Sequence, residues 1–286
     1  MAEFLDYFRK ERLPHIWCPG CGHGTVTGAL IRAVDKLGLD KNKIVMVSGI
    51  GCSSRAVGYL DFDTLHTTHG RALAFATGVK HAKPSLKVIV MTGDGDCTAI
   101  GGNHFIHAAR RNIDITTIIM NNSIYGMTSG QYSPTTPHGM LGTTAPYGNV
   151  EQEFDVCELA KASGASYVAR ATSFHVTLLT DLIEKALMNK GFSVVEALTQ
   201  CPTYFGRKNK IGGPVELLNW IKDRTVNAKA AAALPPEKLA GKLLIGELHR
   251  AERPEYCASY AETTARVQRA YNDYKGGNRG CELNSD

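Results

Sequence analysis

Two short motifs carry oxygen ligands that could bind a magnesium ion and a diphosphate together. The first is Gly-Asp-Gly at 93–95, which follows one β-branched run, and the second is Asn121-Asn122, which ends the next. Asp94 offers an anionic oxygen, Asn122 a neutral one and the carbonyl of Ile124 a third, and Mg²⁺ prefers such ligands beside phosphate oxygens and water. The two glycines permit close approach of the backbone to a diphosphate. An ordinary turn is the alternative for Gly-Asp-Gly alone, but the asparagine pair at this spacing favours the metal site.

Four of the eight cysteines lie in predicted turns or loops, namely Cys18 and Cys21 of a C-x-x-C motif, Cys52, and Cys201 before a proline. Four such thiolates can hold a [4Fe–4S] cluster. A thioredoxin-type dithiol would follow a strand, whereas a charged segment precedes Cys18, and a zinc ribbon would show a second C-x-x-C. Spacing alone leaves cluster and zinc about equally open. The other cysteines are predicted to be ordinary buried or surface thiols: Cys97, Cys157, Cys257 and Cys281.

The overall composition is that of a globular protein. Of the 286 residues, 43% are hydrophobic and 21% charged, which excludes a disordered or fibrous chain. The net charge of +5 is spread without a long Lys/Arg block, so nucleic acid is not the expected partner. No apolar run approaches the ~18 residues of a membrane helix, and the N-terminus lacks the apolar core of a signal peptide. We therefore expect a cytoplasmic protein with reduced thiols.

The elements that must position these motifs alternate between strand and helix. The hydrophobic spacing predicts helices at about 25–38, 71–83, 99–111, 154–163 and 175–190, and strands at 44–47, 87–92, 115–120, 167–170 and 192–198. This alternation predicts an α/β fold with a doubly wound, mostly parallel sheet. Ligands of such sheets bind beyond the carboxyl ends of the strands, where Cys52, Gly-Asp-Gly and the asparagine pair all lie.

Two further segments are expected outside this core. Residues 125–150 are rich in Gly, Pro, Ser and Thr and predict a long loop that is functional or covered by a partner. The sheet is expected to end near residue 200. We therefore divide the chain into a cofactor-binding domain at 1–206 and a helical C-terminal extension at 207–286, with helices near 214–226 and 256–273, which packs on the core or on a partner subunit.

Several motifs resemble those of a known family and occur in the same order. They are Trp17–Gly22, Gly51–Ser53, His69–Arg71, Gly93–Asp96, Asn121–Thr128 and Cys201-Pro202. The Gly-Asp-Gly and Asn-Asn pair resembles the thiamine diphosphate signature. The whole set, over about residues 10–215, resembles the β subunit of the 2-oxoacid:ferredoxin oxidoreductases. Ser129-Gly130-Gln131 departs from the usual Gly-Gly-Gln of the family, and we expect little consequence.

The resemblance implies a thiamine diphosphate-binding fold of the diphosphate-binding type, with thiamine diphosphate, Mg²⁺ and a [4Fe–4S] cluster. The implied Mg²⁺ ligands are Asp94, Asn122 and the Ile124 carbonyl, and the implied cluster ligands are Cys18, Cys21, Cys52 and Cys201. The residues that it places against the cofactor are Gly51, Ser53, Gly93, Asp94, Gly95, Asp96, Asn122, Ile124, Tyr125 and Gly126.

The resemblance also implies the reaction, which is oxidative decarboxylation of a 2-oxoacid with coenzyme A as acyl acceptor and ferredoxin as electron acceptor. The carboxylating direction is possible with a low-potential donor. In the family the activating glutamate lies on a second, pyrimidine-binding subunit, and only the diphosphate-binding motifs occur here. We therefore expect activity only with an α subunit, in an αβ or (αβ)₂ assembly that covers part of the sheet edge and the 125–150 loop.

Two residues bear on the substrate. Arg55, three residues after Cys52, is expected to point into the cofactor crevice, where its planar guanidinium fits a carboxylate. In the family this position is often basic in enzymes that accept 2-oxoglutarate. Met127 is expected to form an apolar wall beside the substrate side chain. The prediction is 2-oxoglutarate, converted to succinyl-CoA and CO₂, with pyruvate or a broad range of 2-oxoacids as the alternative.

The remaining candidates have less specific roles. His69 has a possible polar role near the substrate, with a structural turn as the alternative, and His23 is expected to donate a hydrogen bond near the cofactor or cluster. Asp96 is expected either to contact the cofactor's surroundings or to cap the following helix. Two other functions stay open: a thiamine decarboxylase or synthase without redox chemistry, against which the four cysteines count, and a zinc-stabilised interaction protein.

Overall fold

An eight-stranded sheet with strand order β2-β1-β3-β4-β6-β5-β8-β7 runs through the computed structural model, which describes residues 4–278. The strands are β1 (Ile44–Ser48), β2 (Asp63–His66), β3 (Lys87–Gly93), β4 (Ile115–Asn121), β5 (Tyr167–Thr172), β6 (Ser193–Leu198), β7 (Thr225–Asn227) and β8 (Leu243–Arg250). The pairs from β2 to β5 are all parallel. The predicted α/β class with a mostly parallel sheet is therefore confirmed.

Helices cover both faces of the sheet. They are α1 (His23–Lys36), α2 (Ala56–Tyr59), α3 (Ala72–Ala82), α4 (Gly102–Arg111), α5 (Val156–Ala162), α6 (Val176–Met188), α7 (Pro214–Asp223), α8 (Ala228–Ala231), α9 (Pro236–Leu239) and α10 (Tyr256–Asn278). Side chains of α1, α2 and α6 share one core layer, and those of α3, α4 and α5 share the other. None of these helices is long and apolar enough to span a membrane, as judged over the residues described.

The central strands are apolar along their whole length because both of their faces are buried. In β3, Ile89 and Met91 pack in the first layer, while Val88 and Val90 pack in the second, as the alternation of side chains along a strand requires. The register pairs Gly93 at the end of β3 with Met120 near the end of β4. Gly-Asp-Gly and the asparagine pair therefore follow two neighbouring strands at the same edge of the sheet.

The expectation that the sheet ends near residue 200 is wrong. The strand β8 pairs antiparallel with β5, and β7 pairs parallel with β8, so the C-terminal part of the chain extends the main sheet. This strand escaped the sequence patterns because Gly246 interrupts it and because it is only partly buried. The boundary at residue 206 remains a proposal about domains, while the predicted helices near 214–226 and 256–273 correspond to α7 and α10.

Candidate functional site

A cavity of 330 Å³ lies at the carboxyl ends of β1, β3 and β4. Its walls come from the loop at 50–53, the loop at 93–96 and the segment at 122–131, with His23 and His69 beside them. Every residue that the sequence placed against the cofactor lines this cavity, and Met127 does so too. Because parallel strands end at the same edge, segments far apart in the chain meet here.

Asp94 is the carboxylate at the base of this site, and it is 2% exposed. It accepts hydrogen bonds from the hydroxyls of Ser133 and Thr135 and from the backbone N–H of Asn122. Burial raises the pKa of Asp94, and the hydrogen bonds from the two hydroxyls act in the opposite direction. A buried anion whose hydrogen-bond donors here are neutral is stabilised strongly by a divalent cation. The buried carboxylate of Asp94 is therefore a suitable ligand for Mg²⁺.

Ser133 and Thr135 are site residues that the sequence patterns did not reveal. Both lie in the long irregular segment at 125–150, and both are buried against Asp94. The only available signal was a hydroxyl-rich stretch, Ser133 to Thr136, inside a loop already expected to be functional. Their hydrogen bonds attach the long loop to the carboxylate at the end of β3.

The two other proposed Mg²⁺ ligands lie in a tight turn after β4. The side-chain oxygen of Asn122 accepts the backbone N–H of Ile124 at 3.3 Å, and Ser123 between them has a φ of +58°. Tyr125 then packs its ring on Gly95, where an added Cβ would lie 2.3 Å from the ring. Only glycine permits that approach, so this contact couples the asparagine turn to the Gly-Asp-Gly turn.

Asp96 holds three parts of the site together. Its carboxylate accepts the backbone N–H of Gly70 at 2.6 Å and of Ile50 at 3.2 Å, and the hydroxyl of Thr92 at 2.7 Å. The helical turn that begins at Asp96 has Gly95 as its N-cap, without a side-chain cap. The interpretation of Asp96 as a helix cap is therefore wrong, because its carboxylate is used between loops instead.

Two histidines line the cavity. His69 places Nδ1 2.7 Å from the Asp96 carboxylate, and its ring contacts Tyr125 at a centroid distance of 6.2 Å. His23 is buried, which lowers its pKa to about 4, so its imidazole is neutral. Its Nδ1 has no hydrogen-bond partner among residues 4–278. A buried polar atom of this kind on a cavity wall suits a bound group that hydrogen-bonds to it.

The four cysteines of the proposed cluster are neighbours in space. Burial raises the pKa of Cys21 to about 12 and that of Cys52 to about 11, and the nearby cysteine thiols act in the same direction. A Cβ built on Gly126 would lie 3.4 Å from the sulfur of Cys52 and 3.8 Å from that of Cys201. The backbone of the cavity loop at Gly126 therefore closely approaches two cysteines that are distant in sequence.

Cys201 has surroundings that suit a metal-bound thiolate. Burial raises the pKa of Cys201. Hydrogen bonds from the backbone N–H groups of Phe205, Tyr204 and Thr203 lower it, and the one from Phe205 has the largest effect. Trp17 packs beside the C-x-x-C motif and donates its indole N–H to the carbonyl of Cys52 at 2.7 Å. Within the described part of the chain, no group of three or more His, Cys, Asp or Glu side chains is arranged to hold a metal ion.

The remaining cysteines lie elsewhere. Cys97, Cys157 and Cys257 are buried in the core layer formed with α3, α4 and α5. Cys281 lies outside the described residues. The prediction that these four thiols do not bind the cluster stays a prediction.

Arg55 does not line the cavity, so the expected position of its side chain is wrong. It lies in a neighbouring groove of 560 Å³ together with Arg9, Arg12 and Tyr59. The cause is that residues 53–55 coil into a helical turn that continues into α2, and the N-terminal segment packs on that helix through the backbone of Arg9 and Tyr59. The Nε of Arg55 is buried without a hydrogen-bond partner among the residues described.

Known proteins resemble this chain over most of its length. A family model described as the C-terminal TPP-binding domain of thiamine pyrophosphate enzymes matches residues 49–197. The chain is 57% identical over 254 residues to 2-oxoglutarate synthase subunit KorB of Methanothermobacter marburgensis, covering 89% of each. It is 51% identical over 256 residues to the subunit of the same name from Methanocaldococcus jannaschii, covering 90% of this chain and 95% of the relative.

A solved structure shows the same fold. It is the 2-oxoglutarate:ferredoxin oxidoreductase from Magnetococcus marinus with 2-oxoglutarate, coenzyme A and succinyl-CoA bound, and it matches with a TM-score of 0.83 and 35% identity over 93% of this chain and 91% of that chain. The 2-oxoacid:ferredoxin oxidoreductase subunit beta of Saccharolobus solfataricus is 45% identical over 190 residues, covering 66% of this chain and 62% of the relative.

The parallel sheet, the cavity at its strand ends and the matching family model together define a thiamine diphosphate-binding enzyme domain. With these identities and coverages, the chain belongs to the β subunits of the 2-oxoacid:ferredoxin oxidoreductases. It is thus a subunit of an oxidoreductase, and the expectation raised by its motifs is confirmed.

Proposed function

We propose that this chain acts with an α subunit in the coenzyme A-dependent oxidative decarboxylation of 2-oxoglutarate to succinyl-CoA and CO₂, with ferredoxin as the electron acceptor. The same catalyst would run the reductive carboxylation of succinyl-CoA with a low-potential donor. The relatives named 2-oxoglutarate synthase subunit KorB, with 51% to 57% identity, support this substrate over pyruvate. The bound 2-oxoglutarate and coenzyme A in the Magnetococcus marinus enzyme support it independently.

The observation that carries the proposal is the contact between the cofactor cavity and the cysteines. Cys52 and Gly126 both line the cavity, and a Cβ added to Gly126 would be in van der Waals contact with the sulfurs of Cys52 and Cys201. A thiamine enzyme without redox chemistry has no use for four thiols beside its cofactor. An electron carrier held there would lie next to the place where decarboxylation releases electrons.

Some residues of the cavity would bind the metal and the diphosphate, and others orient the loops around them. Asp94, Asn122 and the Ile124 carbonyl would hold Mg²⁺, and the turns at 93–95 and 51–53 would hold the diphosphate. Thiamine diphosphate, when bound, supplies the electron sink for decarboxylation, and a [4Fe–4S] cluster on Cys18, Cys21, Cys52 and Cys201 would accept single electrons. Asp96 ties the loops that contain Ile50 and Gly70 to the end of β3, and His69 remains available at the cavity wall for a polar contact with substrate.

The surface around the cavity supports an α subunit as partner. Within or next to the long loop in sequence, Tyr147 and Val150 are 100% and 84% exposed, and Met127 and Phe154 are about half exposed. Several exposed large apolar side chains on one segment favour an interaction with a partner. An αβ or (αβ)₂ assembly would bury them and would bring the activating glutamate of the α subunit to the cavity.

The direct test is an assay of the αβ complex. The two subunits are purified together without oxygen and mixed with ferredoxin, coenzyme A and one of several 2-oxoacids. We expect ferredoxin reduction with 2-oxoglutarate that requires coenzyme A and the α subunit, with a much lower kcat/KM for pyruvate. The proposal would be contradicted if ferredoxin were reduced with pyruvate but not with 2-oxoglutarate, or if it were reduced when no 2-oxoacid was added.

Arg55 provides a test of how the substrate is held. Its side chain lies in the neighbouring groove and not in the cavity, so we propose that Arg55 supports the loop of Cys52 and does not pair with the distal carboxylate of 2-oxoglutarate. Arg55→Ala should therefore lower kcat/KM for 2-oxoglutarate and for pyruvate by about the same factor. Met127 would contribute an apolar wall and no polar contact.

The matched control is Arg12→Ala, which removes an exposed arginine from the same groove. It should leave kcat/KM for 2-oxoglutarate nearly unchanged. A loss in Arg55→Ala that is confined to 2-oxoglutarate, with residual activity on pyruvate unchanged, would mean that Arg55 pairs with the distal carboxylate, which pyruvate lacks.

A further inference from the structure

Asn121 is the one residue of the Asn121-Asn122 motif to which the proposed metal chemistry gives no task. It is 6% exposed, and both atoms of its side-chain amide are engaged. Its Nδ2 donates to Glu196 at 2.7 Å. Its Oδ1 accepts the backbone N–H of Ser123 at 3.0 Å and lies 3.0 Å from the hydroxyl of Thr135. The orientation of this amide is therefore set on three sides.

Glu196, which accepts the hydrogen bond from Asn121, is itself held in place by buried partners. It projects from β6, the strand next to β4, and is 2% exposed. Its other oxygen accepts the Nε of Arg170 at 2.5 Å and the thiol of Cys157 at 3.3 Å. Arg170 is held in turn by Asp155 at 2.6 Å. A buried carboxylate paired in this way has little freedom to move, so the oxygen that it offers to Asn121 has a defined position.

The series of hydrogen bonds that starts at Glu196 continues through Asn121 to all the proposed Mg²⁺ ligands. Thr135, beside the Asn121 amide, also lies 2.8 Å from the carboxylate of Asp94. Ser123, whose N–H the same amide accepts, is the residue with φ of +58° between Asn122 and Ile124. The Thr135 hydroxyl shares its single hydrogen between the Asp94 carboxylate and the Asn121 Oδ1. The Asn121 amide therefore orients the hydroxyl that reaches the anionic ligand and, through Ser123, the turn that carries the two neutral ligands.

We propose that Glu196 and Asn121 form a positioning pair that sets the spacing of the Mg²⁺ ligands before the cofactor binds. This inference rests on the proposed function and assigns a task to residues that do not touch the metal. Mg²⁺ needs near-ideal octahedral geometry, whereas the larger Ca²⁺ accepts irregular sites. A site whose ligands are preset should therefore favour Mg²⁺, and loss of the pair should reduce that preference.

The test measures cofactor binding, without turnover, in the αβ complex stripped of thiamine diphosphate and metal. Calorimetry with thiamine diphosphate is run in Mg²⁺ and, separately, in Ca²⁺. Partners that orient metal ligands typically contribute 10- to 100-fold in affinity. We expect Asn121→Ala to weaken binding in Mg²⁺ by about that factor and binding in Ca²⁺ much less. The ratio of the two affinities is the readout, because a general loss of structure would lower both alike.

Asn112→Ala is the matched control. Asn112 is also a buried asparagine with both amide atoms engaged, but it lies beyond the other end of β4, where it contacts Phe192 and the carbonyls of Arg253 and Pro254. Its loss should lower the thermal midpoint and leave the ratio of the Mg²⁺ and Ca²⁺ affinities unchanged.

A second variant, Thr135→Val, keeps the shape of the side chain and removes only the hydroxyl between Asn121 and Asp94. It should weaken binding in Mg²⁺ in the same selective way, which keeps the inference testable if Asn121→Ala does not fold. Equal weakening in both metals by either folded variant, or unchanged binding, overturns the positioning role. Failure of the unaltered complex to bind thiamine diphosphate in Mg²⁺ would instead overturn the proposed function.

Discussion

Asp94→Ala is expected to abolish thiamine diphosphate binding in the presence of Mg²⁺. Asp94 is the anionic member of the proposed ligand set, and it is buried where its charge is poorly screened. Removal of one partner of a buried charge pair costs roughly 3–5 kcal/mol. That corresponds to about a 100- to 5,000-fold loss of affinity. Calorimetry on the cofactor-free αβ complex measures this loss directly.

Asn122→Ala is the comparison for this effect. A neutral oxygen contributes less than a carboxylate to the binding of a divalent cation, and water can occupy its place. We therefore expect weakened binding rather than its loss. The thermal midpoint without cofactor should show that both variants fold. Normal retention of thiamine diphosphate by a folded Asp94→Ala variant would remove the basis for placing the metal at this turn.

Serine at Cys18, Cys21, Cys52 or Cys201 is expected to remove or degrade the iron–sulfur cluster. Iron in such clusters prefers thiolate sulfur, and a serine hydroxyl is a poor replacement. The effect should be largest at Cys201, whose sulfur receives backbone N–H groups that stabilise the thiolate. Iron and sulfide content of the anaerobically purified complex, with the visible absorption that bleaches on reduction, measures the outcome.

The chain contains its own controls for this experiment. Serine at Cys97, Cys157 or Cys257, which lie in the core, should leave the iron content intact, and so should serine at Cys281. The proposed ligand set would be wrong if Cys157→Ser lost iron while Cys201→Ser kept it. Zinc without iron in the unaltered protein would contradict the cluster altogether.

The position of the proposed metal site could be predicted from local sequence patterns. Asp94 and Asn122 each follow a buried strand, and consecutive parallel strands are commonly neighbours in a sheet. Their meeting at one edge was therefore predictable from strand periodicity and spacing, and the register of β3 and β4 places them there. The same holds for Met127, which follows the second motif closely and lines the same cavity.

Contacts between distant segments were beyond such patterns. Ser133 and Thr135 reach Asp94 from an irregular loop, and the carboxylate of Asp96 joins loops that follow different strands. No periodicity marks these residues, because irregular backbone has no repeating direction in which side chains point. Their partners are selected only when the sheet brings the loops together.

Arg55 and β8 show the same division between local pattern and tertiary packing. The sequence by itself determined the ligand types, the succession of core strands along the chain and the strand ends at which the motifs lie, since each depends on neighbours within one strand or turn. Only the tertiary structure decided that Arg55 lies in a neighbouring groove and that β8 pairs with β5. The direction of a side chain in a helical turn and the pairing of a half-exposed strand depend on which distant segment packs against them, and that information is not local.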